Sequence, residues 1–339
     1  MLPDTPRYLC AGILRRQYCL LPDGRALLDT PGGNLLYTAA GIRLWEPDTK
    51  PGLLARVGED YPRTWIDQFA QRGMDVRGIR VLPEAIDLRY FIAFSNMQTR
   101  HLDDPVSHFA RLEMSFPKAL LGYRNPTPNL DSRTSLLPTS LRQMDVPAEY
   151  LDAIAAHLCP IDYLTHSMLP AVLRQAEFTT ITMDPSPAYM NPTFWDHIPA
   201  LVNGLTAFLP SEEEIRSLFQ GRSEDLWEMA QAIASYGCEI VVIKRGQAGQ
   251  LVYDAPGNRR YEVPAYNSNM VDPSGAGDAF CGGFLAGYRR AYDPIEAALY
   301  GSISASMTVE GSDPFYALGG LPGLAQARLE SLRTAIHRI

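Results

Sequence analysis

The chain has no Cys-x-x-Cys pair, and its five cysteines (Cys10, Cys19, Cys159, Cys238 and Cys281) are odd in number and dispersed. That argues against a zinc site and a disulfide framework, and makes a reducing cytoplasm the expected setting. Long apolar runs are missing too: none reaches the roughly 18 residues that a membrane span needs, and Asp4, Arg15 and Arg16 interrupt the start where a signal peptide would be apolar. No membrane association is therefore expected. No dense Lys/Arg cluster occurs, and the net charge is -8, so a nucleic-acid partner is not expected either. There is no Gly-x-x-x-x-Gly-Lys-Ser/Thr loop, no complete Gly-x-Gly-x-x-Gly, no internal repeat, and the six histidines follow no metal-ligand spacing.

With 46% hydrophobic and 20% charged residues over 339 positions, the chain can bury a large core, and its order of elements favours an α/β fold around a mainly parallel sheet. Strands are predicted over Tyr8–Leu14, Leu53–Val57, Ile79–Leu82, Leu88–Phe94, Tyr163–His166, Thr179–Met183, Leu205–Leu209 and Glu239–Lys244. A hairpin is expected over Tyr18–Leu28 about Pro22-Asp23-Gly24, and a glycine loop over Pro31–Asn34. Helices are predicted over Leu35–Leu44, Tyr61–Arg72, Tyr150–His157, Phe194–Ile198, Leu226–Ser235 and Leu324–His337. Ser211 and Glu214 have capping-box spacing, and Arg245–Gly249 turns into a second hairpin. Between Val76 and Val146 the rhythm weakens, and prolines at 117, 126, 128 and 138 forbid long helices. This stretch is read as an insertion or lid.

The most informative segment is Met270–Tyr288. Pro273, Gly275 and Gly277 deny regular structure, and a helical run of small and apolar residues begins at Asp278. A helix start leaves N–H groups without intrahelical partners and carries the positive end of the helix dipole, which suits a phosphate. Ala279, Gly283 and Gly287 recur at spacing four and give one smooth helix side. Phosphoryl transfer needs an anion cradle, a proton acceptor, carboxylates for Mg²⁺ and a cover against water. Gly275, Ala276 and Gly277 can supply the first, Asp278 the second, Glu214 and Asp184 the third, and the Val76–Val146 region the last. At a helix start, Asp278 is expected to have an ordinary or depressed pKa.

Asp272-Pro-Ser-Gly-Ala-Gly-Asp-Ala-Phe-Cys-Gly-Gly-Phe resembles the signature of the ribokinase-like (PfkB) carbohydrate kinase family. Gly32-Gly33, Arg56-Val-Gly-Glu-Asp60, Asp184-Pro185, Glu214 and Lys244–Gly249 precede it in the family's order, so the resemblance spans nearly the whole chain. It implies an ATP-dependent carbohydrate kinase forming a single domain over 1–339: a three-layer α/β/α body with a small β-sheet lid from about 15–30 and 78–142. It further implies that Asp278 is the base and that Gly275, Ala276 and Gly277 form the anion hole. Lys244, Gly246, Gly249 and Ser302 would lie near ATP, with Glu214 and Asp184 at Mg²⁺. A monovalent cation near Asp272, and a homodimer through the lid, are further candidates.

The acceptor side departs from the family pattern. Gln17 stands where an Asp is common, Tyr37 where an Asn is common, Ser211 in place of an Asn in the metal-associated motif, and Ser302 near another expected Asn. Gln17, Gly32, Gly33, Asn34 and Tyr37 are the acceptor-binding candidates. Arg15 and Arg16 read either as a solvated surface pair or as partners of an acidic substrate. A sugar or sugar-like alcohol is the expected acceptor, with a nucleoside kinase or a non-catalytic sugar or nucleotide sensor as the alternatives.

Overall fold

A computed structural model of the chain describes residues 5–176, 178–335 and, for the backbone alone, 337–338. Its strands are β1 (Tyr8–Ala11), β2 (Arg15–Leu20), β3 (Ala26–Gly32), β4 (Gly52–Val57), β5 (Ile79–Val81), β6 (Arg89–Phe94), β7 (Arg100–His101), β8 (Ala155–Leu158), β9 (Thr180–Met183), β10 (Ala207–Phe208), β11 (Ile240–Lys244), β12 (Gln250–Asp254), β13 (Arg259–Val263) and β14 (His337–Arg338). Its α-helices are α1 (Asn34–Trp45), α2 (Arg63–Gln71), α3 (Pro105–Arg111), α4 (Tyr163–Gln175), α5 (Ile198–Val202), α6 (Glu212–Leu218), α7 (Leu226–Ser235), α8 (Ala276–Ala291), α9 (Pro294–Thr308) and α10 (Leu324–Arg333).

The large sheet runs β14-β13-β12-β11-β10-β9-β8-β1-β4-β5. From β11 to β5 neighbouring strands are parallel; β12, β13 and β14 add an antiparallel flank. Residues of β1, β4, β8 and β9 are buried throughout, as parallel strands covered on both faces should be. Alternation sends Tyr8 and Cys10 into one core with α1, α8, α9 and α10, and Leu9 and Ala11 into another with α4, α5, α6 and α7. Three α/β/α layers result.

Within the first layer, α8 is wedged between α1 and α9. A Cβ at Gly282 would collide with the Thr38 carbonyl of α1, and one at Gly283 with Ser304 and with the Tyr300 carbonyl of α9. The smooth side expected of this helix, Gly283 with Gly287, lies against Tyr300 of α9.

A separate sheet, β3-β2-β6-β7, forms from two distant segments. β2 and β3 make the expected hairpin, with a register shift between Gln17 and Tyr18, and β6 joins β2 in parallel. Pro31 and Gly32 belong to β3 rather than to a loop. β5, within the stretch expected to form the lid, pairs instead with β4 in the large sheet.

Three further elements differ from the sequence expectation. Tyr150–His157 is not a helix: a 3-10 turn at Ala148–Asp152 leads into β8. The Tyr150 hydroxyl accepts from Gly78 N at 3.1 Å and donates to Asp75 O at 2.9 Å, so long-range bonds hold the chain as it turns into the sheet. Tyr163–His166 is not a strand but the first turn of α4, because Asp162 caps Thr165 N at 3.0 Å; Pro170 within the helix concealed its length. The last helix stops at Arg333, and the backbone of His337, expected within it, pairs with Glu262 in β13.

Candidate active site

The chain leaving β1 passes through the small sheet to α1, in one core, and the chain leaving β8 enters α4, in the other; a crevice between such connections at the carboxyl ends of a parallel sheet is where α/β proteins place ligands. Asn34 ties the two connections together, accepting from Ile13 N at 2.9 Å and donating to Pro160 O at 2.5 Å. Thr38, one turn on, donates to the carbonyl of Asp278 at 3.1 Å. The start of α8 is thereby anchored over the crevice.

Gly275 precedes α8 with φ 73° and no side chain caps the helix, so the first N–H groups from Ala276 onward have no internal acceptor. The positive φ suits glycine, and a Cβ here would enter the Tyr37 ring. Tyr37 is 5% exposed, so it supports the loop from beneath and does not open toward an acceptor. Asp278 is half-buried, and its carboxylate takes no hydrogen bond from a described residue.

Lys244 ends β11 beside this helix start, its Nζ 3.6 Å from where a Gly277 Cβ would project. Asp184, just past β9, is paired with the Lys244 ammonium through Oδ2, and the Cys281 thiol lies 3.5 Å from the same oxygen. Asp184 Oδ1 is buried without a partner. Glu214 completes the expected capping box, accepting from Ser211 N and Ser211 Oγ at 2.7 Å each through Oε2.

Burial dominates the acid–base behaviour of this cluster. It raises Asp278 to about 6 against the opposing charges of Lys244 and Arg100. The expectation of an ordinary or depressed value for Asp278 is overturned, because desolvation outweighs the helix dipole. Burial likewise raises Asp184 to about 6 and, with the charge of Asp184, Glu214 to about 7. Burial opposes the Lys244 charge, but Asp184, Cys281 and Glu214 outweigh it and its pKa rises.

Four expected residues, Asp278, Asp184, Glu214 and Lys244, are thus brought together, with Gly275, Ala276 and Gly277 alongside. The Gly246–Ala248 turn follows Lys244; Gly246 faces open space, while Gly249 packs on the Val263 carbonyl. Ser302 is engaged elsewhere, buried and donating to Gln250 at 2.9 Å. On the acceptor side, Gln17 is buried against Gly32, and Gly33 packs on the Ile13 carbonyl. Arg16 pairs with Asp29 at 2.9 and 2.7 Å, whereas Arg15 is buried, so the two do not form a solvated surface pair.

Two contributors escaped the sequence reading. Thr38 sits in an apolar helix with nothing to single it out. Arg100 lies on the two-residue β7, in a polar stretch without periodicity, and acts on Asp278 from the small sheet. At the tip of the same hairpin, Gln98 Nε2 is 3.5 Å from Gln247 Oε1, linking the small sheet to the turn after β11. No helix among the described residues is long and apolar enough to cross a membrane.

A three-layer α/β/α body, a small sheet above its crevice and an uncapped helix start beside an unengaged carboxylate form the architecture of a small-molecule kinase. The profile described as pfkB family carbohydrate kinase matches residues 147–315. Over 274 residues the chain is 29% identical to the cytidine kinase of Thermococcus kodakarensis, covering 80% of this chain and 84% of that protein. It is 34% identical over 146 residues to a protein named as an uncharacterized sugar kinase in Archaeoglobus fulgidus, covering 43% of this chain and just over half (55%) of that one. The fold superposes with a TM-score of 0.70 on a protein described as ribokinase II from E. coli, solved with ATP and Mg²⁺, at 17% identity over 97% of this chain and 99% of that one. The chain belongs to the PfkB family of carbohydrate kinases and is an ATP-dependent sugar or nucleoside kinase.

Proposed function

We propose that the protein transfers the γ-phosphoryl of ATP to a hydroxyl of a sugar-like acceptor, with Asp278 as the proton acceptor and the N–H groups of Gly275, Ala276 and Gly277 as the anion hole. The observation that carries this reading is the carboxylate of Asp278, half-buried and unengaged in the first turn of an uncapped helix. The acceptor oxygen bonds to phosphorus as the bond to the bridging oxygen of ADP breaks, and the acceptor's proton passes to Asp278. With a pKa of about 6 the carboxylate is ionised at neutral pH yet a stronger base than an exposed one. Because the transition state is loose, fixing the hydroxyl in line contributes more than basicity.

Lys244, next to Gly277, suits a phosphate oxygen, and the open face of Gly246 suits the rest of the nucleotide. Asp184, with one buried unpartnered oxygen, and the half-buried Glu214 fit Mg²⁺, which is usually held by one or two carboxylates together with phosphates and water. When bound, that ion supplies neutralisation of phosphate charge. Asp272 accepts from Ser274 N at 2.8 Å while its Oδ2 is buried without a partner, which fits a monovalent cation.

The likeness to a cytidine kinase over most of its length supports a second reading, in which the sugar is carried by a nucleobase and Tyr90 on β6 faces the base. ADP release measured over sugars, sugar acids and nucleosides tests both. Turnover confined to nucleosides selects the second reading, and absence of both turnover and ATP binding overturns the two together.

A further inference from the structure

Arg15 opens β2 and is only 8% exposed, yet no described residue accepts a hydrogen bond from its guanidinium. Among the described residues, its one direct partner is the ring of Tyr90, whose centroid lies 5.2 Å from Cζ. Asp87 also acts on its charge, but that carboxylate is held by Arg89 at 2.8 and 2.6 Å. A guanidinium does not deprotonate, so it cannot answer burial by losing its charge. A buried cation without a counter-charge is costly, and ring stacking offsets only part of that cost.

The direction it faces is set by the strand. Alternation along β2 puts Arg15, Gln17 and Cys19 on one face, and Tyr90 is the register partner of Gln17. That face looks toward the acceptor side of the crevice: Gln17 packs on Gly32, and Cys19 lies beside Ser274 and Asp272 of the loop leading to α8. The backbone N of Arg15 is 3.0 Å from where a Gly33 Cβ would project, at the junction of β3 and α1.

We propose that Arg15, braced on Tyr90, binds an anionic group of the phosphoryl acceptor, so that the substrate is a sugar-like alcohol carrying a carboxylate or a phosphate. This rests on the kinase reading above. A planar guanidinium matches either anion in a two-pronged hydrogen bond, whereas a neutral acceptor leaves it without a hydrogen-bonded counter-charge.

The test compares kcat/KM for D-gluconate against D-glucose and for D-ribose 5-phosphate against D-ribose, with cytidine as a neutral nucleoside. At least one charged member is expected to exceed its neutral partner by about tenfold or more, and the gluconate and phosphate arms tell carboxylate from phosphate. Arg15→Met is expected to lower kcat/KM for the preferred charged acceptor by about 10- to 100-fold, the range of a lost charged hydrogen bond. The loss should fall mainly on KM, with the KM for ATP unchanged and partial recovery in Arg15→Lys. Preference for glucose, ribose or cytidine over the charged acceptors overturns the inference while leaving the kinase reading intact, as does an unchanged charged-to-neutral ratio in Arg15→Met. Should the variant fail to fold, the wild-type protein decides: a larger rise in Tm with gluconate or ribose 5-phosphate than with the neutral sugars supports the assignment, and equal shifts overturn it. Absence of ADP formation with every acceptor, together with absence of ATP binding, removes the underlying reading instead.

Discussion

Asp278 stands where the helix dipole and desolvation pull its acidity in opposite directions, and desolvation prevails. If Asp278 is the base, kcat/KM should rise with pH through about 6 and level off above about 7, where Glu214 has also ionised. The sign for stability is the reverse. A carboxylate whose folded pKa exceeds its unfolded value of about 3.9 contributes stability below that unfolded value and loses it as pH rises through the folded pKa. The Tm of Asp278→Asn relative to the wild type should therefore rise between pH 5 and pH 8 by on the order of 1–2 °C, while its turnover is lost; a relative Tm that falls over that interval would contradict this. Gly275→Ala should destabilise by about 1–2 kcal/mol for its left-handed backbone alone and lower kcat by displacing Tyr37. Gly277→Ala, which would meet only Lys244 Nζ at 3.6 Å, should leave the melting temperature nearly unchanged.

Elements carry these residues to each other through close backbone approach. Adjacent glycines on α8 let α1 and α9 press against it from two sides, so Gly282→Val should cost about 1–3 kcal/mol by overpacking, read as a shifted urea midpoint. The β6–β7 hairpin brings Arg100 to Asp278. Arg100 lowers the Asp278 pKa, so Arg100→Gln should move the acid limb of the kcat/KM profile to higher pH; an unmoved limb would show that the small sheet does not act on the base. The helix-start chemistry of 275–278 and the capping box at Ser211 and Glu214 were legible in the sequence, because local hydrogen bonding and backbone preference determine them. The identities of β8 and α4 were not. The alanine-rich run before Leu158 becomes a strand through its pairing with β1 and β9, and α4 is concealed by Pro170.

At the scale of the whole molecule, the large sheet gathers Asp184, Glu214 and Lys244 from separate strand ends, while the small sheet carries Arg15 and Gln17 on β2 and brings Arg100 to Asp278. The first group was readable because each residue sits in a short motif in a fixed order along the chain. The second was not, since whether Arg15 is solvated or buried depends on β6 joining β2 in parallel across about seventy intervening residues. For the same reason Tyr37 reads as an acceptor ligand in sequence and proves to be the floor of the Gly275 turn. The helix-start motif is thus written locally, whereas the surroundings of Arg15, Gln17 and Tyr37 are written in the packing of distant segments.

The most direct measurement is ADP formation by the wild type and by Asp278→Asn across sugars, sugar acids and nucleosides, with ATP affinity determined in parallel. The expected result is turnover of at least one acceptor by the wild type, a fall of about 1,000-fold or more in the variant, and ATP binding unchanged between them. Wild-type turnover retained by Asp278→Asn would contradict the assignment of Asp278 as the proton acceptor.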